Sequence, residues 1–131
     1  MDMNLNILRM ASSLAAHSTA RQRVIAENIA HADTPGYRAR DLAEFGTTLE
    51  EQMPGFAARA TRPGHIEFGA DARGFEARET KTLGAETPNG NTVALEDQIM
   101  RAADVRSSHQ MALGVYAKSL EILRASLGRS R

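Results

Sequence analysis

Residues 95–127 read LEDQIMRAADVRSSHQMALGVYAKSLEILRASL, a stretch without proline and with one glycine. Ten of its positions follow each other at alternating intervals of four and three residues: Leu95, Ile99, Ala102, Arg106, His109, Leu113, Tyr116, Leu120, Leu123 and Leu127. Because an α-helix turns every 3.6 residues, these positions share one face, and the spacing predicts one long amphipathic helix. A side-chain oxygen of Asn91 or Thr92 can cap its start, and Gly128 is a suitable C-terminal stop.

The first 34 residues carry a second stripe of this kind and contain neither proline nor glycine. Its members are Ile7, Ala11, Leu14, Ser18, Arg21, Ile25 and Asn28. The spacing predicts a helix from about Leu5 to Ala30, in which Arg21 and Asn28 dilute the apolar face. We expect the two helices to pair as a coiled coil; the alternative is that each covers an ordinary core. The residues predicted to line the helix-pairing seam are Ile7, Leu14, Ile25, Leu95, Ile99, Leu113, Tyr116, Leu120, Leu123 and Leu127.

Glycine and proline divide the chain into three segments. All four prolines and eight of the ten glycines lie between Pro35 and Gly90. This division predicts an N-terminal helix in residues 1–34, a loop-rich acidic segment in 35–90 and a C-terminal helix in 91–131, with the two ends forming one structural unit. The expected fold class is mainly α, with long terminal helices paired as a coiled coil and a poorly ordered or short-β middle segment.

Two local structures are indicated within the middle segment. Residues 41–53 favour a short helix in which Phe45 and Leu49 lie one turn apart. The briefly alternating stretches 65–68 and 74–77 are compatible with one small β-hairpin.

The composition excludes several classes of function. The 131 residues include no cysteine, which excludes disulfides, thiolate catalysis and cysteine-based zinc sites. Lys and Arg equal Asp and Glu at 16 each, and a neutral chain lacks the positive charge of a non-specific nucleic-acid binder. The sequence has no apolar run long enough for a membrane span. No basic region precedes the first apolar stretch, so no cleaved secretory signal is expected.

No pattern of residues indicates catalysis or ligand binding. The four histidines lack metal-ligand spacing, no serine belongs to a recognisable catalytic motif, and no glycine pattern marks a nucleotide site. We therefore expect no enzyme activity, cofactor, metal or small-molecule substrate. His109 lies on the apolar stripe, either as a pH-sensitive packing position or as a core-edge histidine whose hydrogen bond is satisfied locally.

Two turn-forming strings flank the terminal helices. Residues 28–37 read NIAHADTPGY, in which Pro35 fixes φ and Gly36 allows a positive φ. Residues 88–93 read PNGNTV, in which Asn89-Gly90 is a tight-turn pair. By local physics alone, the two strings predict a helix end and a helix start that need no partner.

The first string closely resembles N-I-A-N-A-x-T-P-G-Y, the N-terminal signature of the flagellar basal-body rod and hook proteins. Its combination with the second string, ahead of a C-terminal heptad helix, resembles the proximal rod members of that family. The likeness covers both ends of the chain. One departure is His31, which stands where the family usually has asparagine.

The resemblance implies a structural subunit of the bacterial flagellum. Such a protein is exported through the flagellar type III apparatus without a cleaved signal, and it polymerises through its terminal helices into the periplasmic rod, which transmits torque. The implied partners are other copies of itself, other rod proteins, the protein joining the rod to the MS ring, and the export gate. The residues implied to contact neighbouring subunits are Asn28, Ile29, Ala32, Asp33, Thr34, Pro35, Gly36, Tyr37, Pro88, Asn89, Gly90 and Asn91.

A further string, FGTTL from Phe45 to Leu49, resembles the Phe-x-x-x-apolar pattern by which early export substrates are recognised at the gate. Residues 56–60 and 68–72 also fit this pattern if alanine is accepted as the apolar residue. The alternative for Phe45 and Leu49 is one apolar turn of a short helix. Two other functions stay open from the sequence: a sister rod or junction protein of the same axial class, and a soluble helical adaptor.

Overall fold

A computed structural model describes residues 2–52, 75–84 and 86–128 of the chain. In chain order its elements are α1 (Asp2–Ala30), β1 (Arg40–Asp41), α2 (Phe45–Gln52), β2 (Arg78–Glu79) and α3 (Leu95–Ser126). The long helices α1 and α3 pack against each other. This arrangement confirms the predicted fold class, which is mainly α with long paired terminal helices.

Helices α1 and α3 run antiparallel. The last turn of α1 meets the first turn of α3, where Nδ2 of Asn28 donates a hydrogen bond of 2.9 Å to Oε1 of Gln98. From this point the buried positions continue back to Ala11 on α1 and forward to Ser119 on α3. The interior of the molecule is therefore a long strip between the two helices.

Helix α1 turns the stripe identified in the sequence toward this interior. Ala11, Ser18, Ile25 and Asn28 are buried, and Leu14 and Arg21 are half-buried. Ile7, which was expected to line the seam, is instead exposed. The helix begins at Asp2, three residues before the predicted start.

Helix α3, in contrast, turns a different face inward from the one expected for the seam. Its buried residues are Asp97, Gln98, Val105, Ala112 and Ser119. The expected seam residues Leu95, Ile99, Leu113, Tyr116 and Leu127 are all exposed. Several buried positions precede an expected one by a single residue, which corresponds to a rotation of roughly 100° around the helix. Within the chain, these five residues therefore do not line the contact between α1 and α3.

Two polar side chains of α3 have partners on this inward side. Gln98 bonds to Asn28 of α1, and Arg101 bonds to Asp41 of β1. Both residues lie on or beside the inward face, and turning Ile99 and Leu113 inward would separate them from these partners. The spacing of apolar residues cannot predict these contacts, because it identifies only which face of a helix is the most apolar.

The start of α3 also differs from expectation, whereas its end agrees. The N-cap position is Ala94, which makes no side-chain capping hydrogen bond, so the predicted caps Asn91 and Thr92 do not serve as caps. Thr92 Oγ1 instead accepts a hydrogen bond from the backbone N–H of Ala39 at 2.8 Å. Gly128 follows the C-cap with a φ of +93°, as expected for a glycine that ends a helix.

The middle segment contributes α2 and a short antiparallel ladder. Residues 45–52 form α2 within the predicted range 41–53. Strand β1 pairs with β2 in the register Arg40 opposite Glu79 and Asp41 opposite Arg78, so β2 pairs with the segment after α1 and not with an adjacent hairpin strand. Residues 65–68 of the expected hairpin, and the export-like patterns at 56–60 and 68–72, lie outside the described residues.

Among the residues described, no helix combines the length and the apolar character that crossing a bilayer requires.

Candidate functional site

The chain reverses direction immediately after α1, in the NIAHADTPGY string. The backbone N–H of Thr34 donates to the His31 carbonyl at 3.0 Å, and the N–H of Tyr37 donates to the Thr34 carbonyl at 3.3 Å. Gly36 has a φ of +71°, which glycine adopts without steric cost. The His31 ring stacks on the Tyr37 ring with their centroids 4.7 Å apart, so the departure from asparagine at His31 adds a contact to this turn.

A second turn precedes α3, in the PNGNTV string. The N–H of Gly90 donates to the Thr87 carbonyl at 2.8 Å, and the N–H of Thr87 donates to the Asn91 carbonyl at 3.0 Å. Gly90 has a φ of +82°. The Asn89-Gly90 pair therefore forms the tight turn that its sequence predicts.

The two turns dock on each other. The N–H of Gly36 donates to the Asn89 carbonyl at 2.9 Å, and the N–H of Thr92 donates to the Tyr37 carbonyl at 3.1 Å. A Cβ atom on Gly90 would lie 3.5 Å from the Cα of Gly36, so the two backbones are in contact. The strings that carry the family resemblance thus meet inside one chain, although more than 50 residues separate them.

Asn91 fastens the two turns together. Its Nδ2 lies 2.9 Å from the carbonyl oxygens of both His31 and Ala32 and 2.8 Å from that of Thr34. Its Oδ1 accepts a hydrogen bond from the N–H of Val93 at 2.7 Å. The side chain is buried, and every polar atom of its amide has a partner. Asn91 therefore acts as a clamp between the end of α1 and the start of α3.

The buried side chain of Asn28, near the end of α1, also joins α1 to a later part of the chain. Its amide bonds both backbone groups of Arg40: Nδ2 donates to the carbonyl at 2.7 Å, and Oδ1 accepts from the N–H at 3.1 Å. The Tyr37 hydroxyl also donates to Oδ1 at 3.3 Å. Asn28 thereby occupies the side of β1 opposite to β2 and satisfies backbone groups that a third strand would otherwise bond. This explains an asparagine on an otherwise apolar stripe.

A buried ion cluster holds β1 between the two helices. Asp41 accepts two hydrogen bonds from Arg21 of α1, at 2.8 Å to Nε and 2.7 Å to Nη2, and a third from Arg101 of α3. Arg101 also bonds Asp97 at 2.8 Å. Burial raises the pKa of Asp41, but the hydrogen bond and charge of Arg21, the hydrogen bond of Arg101 and that of the Leu42 N–H outweigh this effect and hold the pKa below its usual value.

The sequence pattern does not reveal this cluster. In that pattern Arg21 only dilutes an apolar stripe, and no local feature indicates a role for Asp41 or Arg101. A charged residue at an inward helical position does indicate a buried partner of opposite charge. The identity of that partner follows only from the fold, because Asp41 and Arg101 lie 60 residues apart in the chain.

His17 anchors the middle segment on α1. The ring is buried, and Nε2 donates a hydrogen bond of 2.8 Å to the Ala43 carbonyl. The Phe45 and Phe75 rings contact it edge to face, with centroids 5.6 and 5.0 Å away. Burial lowers the pKa of His17; the bond to Ala43 opposes this, the charge of Arg21 adds to it, and the charge of Asp41 opposes it.

Acidification is therefore expected to destabilise the fold through His17. Unfolded chains bind a proton at this histidine below about pH 6.5, whereas the folded chain resists protonation. Stability should then fall as the pH decreases through this value toward the lower folded pKa. Urea unfolding at pH 7.5 and 5.5 measures the loss, which should shrink in His17→Gln and remain in the control His31→Gln, whose side chain is exposed. An equal loss in His17→Gln and in the parent chain would contradict this assignment.

A prediction for the docked turns concerns Gly90. Alanine at this position should lower the free energy of unfolding by about 1–2 kcal/mol, because an L-residue resists a positive φ; the added Cβ itself has room. Gly114→Ala in α3 is the matched control and should add about 1 kcal/mol, because its Cβ meets nothing within 4 Å and alanine favours helix. Urea denaturation measures the free energy of unfolding of both variants. Equal changes in Gly90→Ala and Gly114→Ala would show that the Gly90 turn accepts a side chain without strain.

The expected contact residues divide into an inner and an outer set. Asn28, Tyr37, Gly90 and Asn91 take part in the contacts between the turns, and each is buried or half-buried. The outer set is exposed and comprises Ile29, Asp33, Thr34, Pro35, Gly36, Pro88 and Asn89, while Ala32 is half-buried between them. The exposed side chains of the outer set form the free surface of the docked turns, whereas the backbones of Thr34, Gly36 and Asn89 bond within them.

A second free surface lies along α3. Leu95, Ile99, Leu113, Tyr116 and Leu127 are between 40 and 71% exposed, and we call them the outer stripe of α3. Their helical spacing places them along one side of the helix. A row of large apolar side chains in water favours association with a partner.

Two further expected residues lie elsewhere. Phe45 is half-buried against His17, and the backbone of Leu49 follows it one turn later in α2. His109 is half-buried at the edge of the inward face. Among the described residues, its Nδ1 is buried without a hydrogen-bond partner, which corrects the expectation of a locally satisfied histidine at that nitrogen.

The chain resembles known flagellar proteins over most of its length, although no protein-family model matches it. It is 34% identical over 109 residues to the flagellar basal body rod protein FlgB of Aeromonas hydrophila, an alignment covering 82% of the chain and 76% of that relative. It is 33% identical over 130 residues to FlgB of Salmonella typhimurium, covering 92% and 90% of the two chains. FlgB of Escherichia coli is 30% identical over 128 residues, with the same coverage. Identity at this level across nearly whole chains, together with the two docked turns, shows that the chain belongs to the FlgB family of flagellar basal body rod proteins.

Proposed function

We propose that the chain is a structural subunit that polymerises into the rod of the flagellar basal body and transmits torque as part of that rod. Membership of the FlgB family supports the location and the structural role. The observation that carries the polymerisation is the outer stripe of α3, because large apolar side chains stay exposed after the chain has formed its own core. Contact with neighbouring subunits would remove this surface from water.

The neighbours are other copies of this chain, other rod proteins and the protein that joins the rod to the MS ring. Contacts that repeat head to tail without closing generate a filament, which is the geometry that a rod requires. The outer residues of the docked turns, Asp33 to Gly36 with Pro88 and Asn89, supply a second contact surface at one end of the helix pair. The inner residues of those turns are already used within the chain and position this surface.

Delivery to the rod is proposed to occur by type III export without a cleaved signal. The Phe45–Leu49 string is the proposed gate-recognition element. In the folded chain Phe45 contacts the buried ring of His17, so recognition of Phe45 by the gate requires that this contact is absent. This ordering is consistent with export of an unfolded chain followed by folding at the site of assembly.

The assembly proposal predicts that charge on the outer stripe abolishes rod formation without unfolding the subunit. Ile99→Glu with Leu113→Glu should remove motility and the rod, because both side chains are more than half exposed and their replacement leaves the core intact. Electron microscopy of isolated basal bodies and swimming assays measure the effect, and circular dichroism of the purified variant checks the helix content.

Gln110→Glu is the matched control, because it introduces one negative charge at another exposed position of α3. This variant should retain motility. Normal swimming of the Ile99→Glu, Leu113→Glu variant would refute a role of the outer stripe in assembly. A stable small oligomer that is unaffected by these changes would instead favour a helical adaptor.

A further inference from the structure

The chain contains two competing faces on α3 that can pack against α1. The inward face presents Gln98, Val105, Ala112 and Ser119, of which only Val105 has a large apolar side chain. One residue further along, the outer stripe presents Ile99, Leu113 and, at the shared edge, Leu120. Burial of large apolar side chains stabilises a helix pair more than burial of alanine or serine. Apolar burial alone therefore favours the face that the structure leaves outside.

We propose that the Asn28–Gln98 amide pair is a register lock that keeps the outer stripe of α3 facing away from α1. Asn28 and Gln98 are both fully buried, and Nδ2 of Asn28 donates to Oε1 of Gln98 at 2.9 Å. The other amide groups of Asn28 are occupied by the backbone of Arg40. These bonds to Arg40 hold Asn28 in place independently of α3, and its remaining N–H requires an acceptor at position 98.

Rotation of α3 toward the outer stripe breaks this pairing. Gln98 would leave the interior, and an N–H of Asn28 would face the apolar side chain of Ile99, which has no acceptor. An unpaired buried donor is strongly unfavourable. A single buried amide contact is known to fix register and orientation in helix pairs at some cost in stability.

The ion cluster strengthens the same choice. Arg101 lies three residues after Gln98 and bonds Asp41, whose carboxylate is buried. A rotation that carries Gln98 outward also carries Arg101 away from Asp41. Arg106 also opposes this rotation, because it lies on the same side of α3 as the outer stripe and the rotation would bury its charge. The lock therefore holds the arrangement in which the apolar stripe is available to a neighbouring subunit, an inference about the partner surface that rests on the proposed function.

The absence of cysteine from the sequence permits a direct test with single-cysteine reporters. Ala112 is buried, and its neighbour Leu113 is half exposed. We expect Ala112→Cys to react slowly and Leu113→Cys rapidly with a maleimide in the otherwise unchanged chain, at protein concentrations where light scattering shows a monomer. In the lock variant, Asn28→Leu with Gln98→Leu, position 112 should become more accessible and position 113 less accessible. The labelling rate at position 112 divided by that at position 113 should therefore increase by at least about tenfold.

The matched control replaces two exposed amides on the same helices, Gln22→Leu with Gln110→Leu, and should leave the ratio unchanged. An unchanged ratio in the lock variant would overturn the proposal, because other contacts would then select the face. Rapid labelling at both positions with loss of helical circular dichroism would also overturn it, because the amides would then be required for folding itself. The measurement uses monomers, so its failure is distinguishable from a failure of the assembly proposal, which is read from basal bodies.

Discussion

Replacing Asp41 with alanine is expected to lower the free energy of unfolding by about 3 kcal/mol at neutral pH. The carboxylate is 6% exposed and balances two arginines whose side chains are only 20 and 22% exposed. Removing it leaves two cations close together in a largely buried site, and it removes the acceptor for the N–H of Leu42. Loss of one partner of a buried ion pair costs more than the pair contributes, because an uncompensated charge remains.

Urea denaturation measures this effect, and Glu27→Ala provides the matched control. Glu27 pairs with Arg23 on the exposed side of α1, at side-chain exposures of 47 and 82%, so its removal should change stability by less than about 0.5 kcal/mol. A loss in Asp41→Ala no larger than that in Glu27→Ala would show that the cluster is solvated and contributes little.

The same variant should change the acid sensitivity of the fold. The pKa of Asp41 is lower in the folded chain than in the unfolded chain, so its contribution is present above about pH 4 and is lost as the pH falls further. The parent chain should therefore lose stability in this range more steeply than Asp41→Ala. This window lies below the one expected for His17, and the two effects can be measured separately.

Replacing Asn91 with alanine is the second change with a large expected effect, about 2–3 kcal/mol. The carbonyl oxygens of His31, Ala32 and Thr34, in the turn after α1, would lose the Asn91 amide as a donor, and the N–H of Val93 would lose its acceptor. Asn91→Asp should be at least as harmful, because it keeps the acceptor for Val93 but places a carboxylate against the carbonyl oxygens of His31, Ala32 and Thr34.

Asn89→Ala is the control for this prediction, because Asn89 lies two residues away and is exposed. Its loss should cost about 1 kcal/mol or less. Hydrogen exchange at the Gly36 amide supplies an independent measurement, because that N–H is bonded across the docked turns. Unchanged protection at Gly36 in Asn91→Ala would show that the turns stay docked without the clamp.

Several parts of the fold were predictable because they depend on local chemistry. The two long helices follow from periodicity over many turns, and the end of α3 at Gly128 follows from the conformational freedom of glycine. The turn at Asn89-Gly90 follows from the same property. Periodicity also located the stripe of α1, although Arg21 and Asn28 were interpreted only as a dilution of its apolar face.

The contacts between distant segments were not predictable in this way. The docking of the turn after α1 on the turn before α3, the clamp by Asn91, and the pairing of Asp41 with Arg101 each join residues about 55–60 positions apart. Asn91 or Thr92 was expected to cap α3, since the preference of such side chains for helix starts is a local rule. In the folded chain the amide of Asn91 instead bonds the carbonyl groups of three residues between positions 31 and 34, which are distant in the sequence.

Helical period, turn chemistry and motif identity are properties of neighbouring residues, so they are enough to predict the helices, the turns and the family. The face of α3 that turns inward depends instead on contacts between distant segments. Periodicity locates an apolar stripe but does not state whether its partner is the same chain or another one. Here the buried polar groups Asn28 and Asp41 bind Gln98 and Arg101, and the requirement that buried donors and charges be paired leaves the more apolar stripe on the surface.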